Sequence, residues 1–138
     1  MDKALNYVAL ARKAGRIELG EEPAGAAARA VHACLIVVAS DASDHTWRRA
    51  KSFAAGTDQQ CIRLDCTKEE MGFVVGRQSL AIAAITDVQL ALALVTALGQ
   101  PEKYKASLEV LEAKTIKAKK RQAEAKAHKR NVRMGKKQ

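Results

Sequence analysis

Five side chains of the kinds that build a hydrolytic centre fall together in one short stretch: Ser40, Asp41, Ser43, Asp44 and His45. A serine nucleophile, an imidazole base and an orienting carboxylate do acyl transfer only when they converge in space. Sequence neighbours rarely achieve that geometry, and neither serine has the sharp G-x-S-x-G setting. Ser and Asp ahead of a helical stretch instead suit capping, where a side-chain oxygen takes up amides that the first turn leaves free. His32 with Cys34, and Cys61 with Cys66, form no CxxC pair and no four-ligand metal spacing, so the thiols read as core or edge residues. Glycines 15, 20, 25, 56, 72, 76 and 99 make neither a G-x-G-x-x-G nor a Walker pattern and read as helix stops and turns. The expectation is a protein that is not an enzyme, with no metal and no cofactor.

Charge is the remaining chemistry. Residues 1–100 hold eleven basic and eleven acidic side chains, which cancel, whereas residues 101–138 hold thirteen basic and four acidic ones. The formal charge of +9 therefore belongs to the last segment. A neutral body with a cationic appendage is suited to a polyanion. A membrane surface is the weaker match, because residues 117–138 lack the Trp, Phe and Leu face that inserts. RNA is the expected partner, with Lys117, Lys119, Lys120, Arg121, Lys126, Lys129, Arg130 and Arg133 as phosphate contacts. Only five aromatic residues are present, Tyr7, Trp47, Phe53, Phe73 and Tyr104, so base stacking is poorly supplied. Trp47 and Phe53 stand six apart on one predicted helix, which predicts one in the core and the other exposed.

These groups need elements to hold them. Leu5, Val8 and Ala9 at helical spacing, stopped by Gly15, predict a first helix. Residues 16–19 suit a short strand, and Pro23 sits in the first turn of a second helix, where its missing N–H costs nothing. Residues 34–39, 61–64 and 80–85 are short apolar runs that read as strands. A helix over 44–55 lies between the first two runs. Thr67 with Glu70, and Thr86 with Gln89, match capping boxes for two further helices. Strands alternating with helices predict a three-layer α/β/α sandwich with a mostly parallel central sheet. Pro101 marks a new helix start, with a stripe of Tyr104, Leu108, Leu111 and Thr115 that fades beyond Ile116. The organisation is thus a domain over 1–100 and a basic helical extension over 101–138. An odd number of thiols, no signal-peptide core and no long apolar run point to a reduced, cytoplasmic, monomeric protein.

Four segments carry a resemblance: LARKAGRIELGEE (10–22), LIVVASDAS (35–43), EEMGFVVGR (69–77) and AIAAITD (81–87). In that order they resemble the kink-turn-binding ribosomal protein family named for archaeal L-seven-Ae, most closely its bacterial YlxQ-like branch. The resemblance implies an α/β/α sandwich that binds RNA without catalysis. It also implies contact through the start of the second helix, by a Gly-x-Asn-Glu-x-x-Lys signature, and through the loop before the last strand. Carried onto this chain, the site comprises Arg16, Gly20, Glu21 and Glu22, together with Arg77, Gln78, Ser79 and Leu80. Glu22, Pro23 and Ala26 replace the Asn, Glu and Lys of the signature. Glu21 and Glu22 would repel phosphate from the positive end of that helix, and Pro23 removes one amide donor.

The reading is therefore a ribosomal or ribosome-associated protein that binds structured RNA. The sandwich edge would hold the RNA, the arm would clamp its phosphates, and ribosomal proteins would be further partners. The alternative is a protein-interaction module docking through Glu18, Glu21 and Glu22, and through Tyr104, Leu108 and Leu111 of the tail helix.

Overall fold

The computed structural model describes the backbone of residues 3–135 and the side chains of residues 3–129. The contacts expected of the Arg130 and Arg133 side chains lie outside that range. In chain order the elements are α1 (Lys3–Lys13), β1 (Ile17–Leu19), α2 (Glu21–Arg29), β2 (Leu35–Val38), α3 (Asp44–Ala54), β3 (Gln60–Arg63), α4 (Lys68–Phe73), β4 (Ile82–Ile85), α5 (Val88–Ala97) and α6 (Lys105–Gly135).

The four strands form one sheet in the order β1-β4-β2-β3. β2 and β3 pair in parallel, but β4 is antiparallel to both β1 and β2. The expectation of a mostly parallel sheet is therefore wrong: the sheet is mixed, and two of its three ladders are antiparallel. Alternation of helices and strands predicts parallel pairing when each helix returns the chain to the same end of the sheet. Here α4 has only six residues, and the chain re-enters as β4 from the other end. It inserts between β1 and β2, so one reversed strand converts two ladders.

All four residues of β2 and all four of β4 are buried, because helices cover both faces. α2 and α3 pack on one side, and α1 and α5 on the other, with α6 laid against α5. The core relies on small side chains. Ala83 and Ala84 on β4, Ala24 and Ala28 on α2, Ala4 and Ala11 on α1, and Ala50 and Ala91 are all buried. With Leu35, Ile36, Ile85 and Leu94 they replace the missing aromatic volume.

Local chemistry sets the helix starts. Ser43 Oγ accepts the Thr46 amide at 3.1 Å, and Asp41 accepts the Lys68 amide at 2.8 Å, so both belong to turns that cap α3 and α4. The Thr67–Glu70 capping box is complete. The expected Thr86–Gln89 box is not formed; Asp87, one residue on, caps α5 by accepting the amides of Gln89 and Leu90. The first half of α6 is part of the body. Leu111 is fully buried, Tyr104 and Leu108 pack on the core, Ser107 donates to Gln60 at 2.8 Å and Lys114 pairs with Asp58 at 2.9 Å. Leu111 is therefore not available to pair with another protein, which corrects that part of the interaction-module reading. Beyond Thr115 every described side chain is exposed except Ala118.

Candidate nucleic-acid interface

Two segments distant in sequence meet at one end of the sheet. Gly20 continues β1 by donating to the Ile82 carbonyl at 2.9 Å, then opens α2 as the residue whose carbonyl accepts from Ala24. That change of direction needs φ +100° with ψ 167°, a conformation open essentially only to glycine. No side chain caps α2, so the first-turn amides of Glu21 and Glu22 have no intrahelical partner.

The loop that ends in β4 is held beside this turn. The Arg77 amide donates to the Gly72 carbonyl at 2.8 Å and the Leu80 amide to the Lys68 carbonyl at 2.9 Å, fastening the loop to both ends of α4. Gly72 permits the fit: a Cβ there would stand 2.8 Å from the Arg77 carbonyl oxygen and from the Ser79 nitrogen. The Arg77 guanidinium comes within 3.8 Å of where a Gly20 Cβ would be. Leu80 is buried as the loop's anchor, while Arg77, Gln78 and Ser79 are exposed. Gly20, Glu21 and Glu22 are thus assembled with residues 77–80.

The two carboxylates differ. Glu21 turns toward Arg49, its Oε1 lying 3.5 Å from Nε and otherwise without a hydrogen-bond partner, whereas Glu22 is exposed. A groove beside them is lined by Glu21, Glu22, Pro23, Ala26, Arg29 and Arg49. Arg29 and Arg49 thus share the groove with the two carboxylates, while Arg77 lies beside the Gly20 turn. Arg29 and Arg49 escaped the sequence reading because a helix–helix contact brings them there. The Phe53 ring lies on Gly25, 2.9 Å from a hypothetical Cβ, and Arg49 stacks 5.1 Å over that ring. The signal available was i, i+4 spacing, Gly25 with Arg29 and Arg49 with Phe53.

Arg16 is not part of this assembly. Its carbonyl accepts from Thr86 at the other end of the β1–β4 ladder, about 13 Å from Gly20 along the strand. α6 is also anchored at that far end, where Gln60 and Leu35 begin their strands. Trp47 and Phe53 do not divide into a core and an exposed ring: both are half-buried, and Trp47 carries Arg63 at 5.0 Å and Lys51 at 5.4 Å. The thiols are shielded. Burial pushes Cys34 up and Cys61 up to about 12. Among the described residues no three His, Cys, Asp or Glu side chains are placed to share a metal ion, and no helix is long and apolar enough to cross a membrane.

No model of a known protein family matches the chain, and no curated protein matches it. Solved structures do. A protein of unknown function from Bacillus halodurans superposes with a TM-score of 0.67 at 19% identity, over 72% of this chain and 99% of that one. The 15.5kD RNA binding protein of Giardia lamblia superposes with a TM-score of 0.60 at 18% identity, over 72% of this chain and 84% of that one. At such identities the likeness establishes the fold alone. The chain therefore shares its fold with both of these proteins.

Proposed function

We propose that this is a non-catalytic, cytoplasmic RNA-binding protein that works on the ribosome or in its assembly. The observation that carries the reading is the convergence of the Gly20 turn with the Arg77 loop, on a fold shared with an RNA-binding protein. The free first-turn amides of α2 and the Arg77 guanidinium suit phosphate oxygens, while the exposed Glu22 carboxylate accepts from base amino groups or 2′-hydroxyls. Glu22, Pro23 and Ala26 stand in place of the kink-turn signature, so preference for kinked RNA over other structured RNA is weak. The exposed cations beyond Thr115 supply affinity that does not depend on sequence.

Gel shifts between 50 and 200 mM salt, using kinked and plain duplex RNA, test this. The comparison is between the whole chain, Arg77→Ala, and a chain ended after Ala118, which keeps Leu111 and Thr115 docked. The whole chain should lose about three to five decades of affinity across that range if roughly six to ten phosphates are contacted. The shortened chain should show a shallower slope. Binding that is absent, or indifferent to salt, would overturn the proposal.

A further inference from the structure

Beyond Thr115 the described cations of α6 fall on two faces of the helix, three on each. Leu111 and Thr115 face the body and are buried. At 100° per residue, Lys119, Lys126 and Lys129 occupy positions within about 40° of Thr115's direction. Lys117, Lys120 and Arg121 fall about 120 to 160° away, on the side that also carries Glu124. The helical face that docks the first half of α6 thus becomes a cationic stripe in the second half. From position 119 to position 129 that stripe is about 15 Å long.

The stripe begins at a groove. Where α6 leaves α5, Lys119 lines a hollow with Lys3, Tyr7, Gln89, Leu92 and Thr96, and no carboxylate is among its lining residues. Lys3 on α1 and Lys119 on α6 place two cations on a surface whose other polar groups are a phenol, an amide and hydroxyls. This hollow belongs to the α1, α5 and α6 side of the sandwich, whereas the Gly20 and Arg77 site is made by α2 and the loop after α4.

Resting on the RNA-binding reading above, we infer that the inner face of α6 and this groove form a second RNA contact. An RNA strand runs in the angle between arm and body, with its phosphates on Lys3, Lys119, Lys126 and Lys129. The charge pattern selects the occupant: cations repeat along one face beside a groove without carboxylates, which matches a flexible polyanion. One protein molecule then holds RNA on two sides.

Two charge-matched triple variants test this, since all six residues are exposed and each triple removes three positive charges. Lys119/Lys126/Lys129→Ala alters the inner face and Lys117/Lys120/Arg121→Ala the outer one, with circular dichroism confirming that both keep their helix. Binding to an RNA hairpin bearing a single-stranded tail is measured against salt. The inner triple should lower the slope of log affinity against log salt by about two, at roughly 0.7 per phosphate contact, and the outer triple by less than about one. Equal reductions would overturn the inner-face contact while leaving RNA binding in place. Failure of the unaltered protein to bind this RNA would overturn both.

Discussion

Replacing Gly72 by Ala isolates the contact that positions the Arg77 loop. The added methyl would meet the Arg77 carbonyl oxygen and the Ser79 nitrogen at 2.8 Å and the Ser79 Cα at 2.9 Å. Ordinary contacts lie near 3.5 to 4.0 Å, so the loop backbone must retreat by about 1 Å. Helix propensity favours Ala over Gly by about 1 kcal/mol, while overpacking against backbone costs about 1 to 3 kcal/mol. The expected net is a destabilisation of about 1 kcal/mol in urea titration. RNA binding should fall more sharply than stability. If Arg77 loses one charge-assisted hydrogen bond, worth about 1.5 kcal/mol, affinity drops roughly tenfold, and combining the change with Arg77→Ala adds nothing further. A variant about 1 kcal/mol more stable than the parent with undiminished RNA affinity would refute the reasoning, because it would show the loop yielding without consequence.

Leu111→Ala should cost about 2 to 5 kcal/mol by opening a cavity between α5 and α6, read as a lowered unfolding midpoint. Hydrogen bonding from Lys114 holds the Asp58 carboxyl below the ordinary aspartate value near 3.8. Its contribution to holding α6 is therefore present above that value and lost as pH falls through the lower folded-state value; acid titration of Asp58→Asn should lack this step, and an unchanged profile would contradict it. Cys61, whose thiol is pushed up to about 12 by burial, should resist alkylation at pH 7 and react after unfolding. Rapid labelling of the folded chain, mapped by mass spectrometry, would count against that burial.

Much of the local structure was legible because it depends on neighbouring residues. Thr67 and Glu70 announced their capping box, and the apolar runs marked three of the strands. Thr86 and Asp87 both have capping side chains, and pattern alone could not say which of two adjacent residues would take the amides. Strand direction was hidden for a different reason: pairing between β4 and its neighbours joins residues as distant as Ile17 and Ile85, and no local spacing records which end a returning chain enters. The site divides the same way. Gly20 and Arg77 were visible as turn and loop residues, whereas Arg49 and Arg29 reach the groove only because Phe53 rests on Gly25. Arg16, near Gly20 in sequence, is carried away by the length of β1.

The continuity of α6 has a consequence for folding. A lysine-rich helix of this length starts poorly on its own, since its first turn fixes several dihedrals for a single hydrogen bond. The segment packed around Leu111 provides that turn in advance, and the overhang need only extend it. Melting the globular part should therefore unravel the overhang as well. Any RNA that clasps only the helical overhang should raise the melting temperature of a core it never touches.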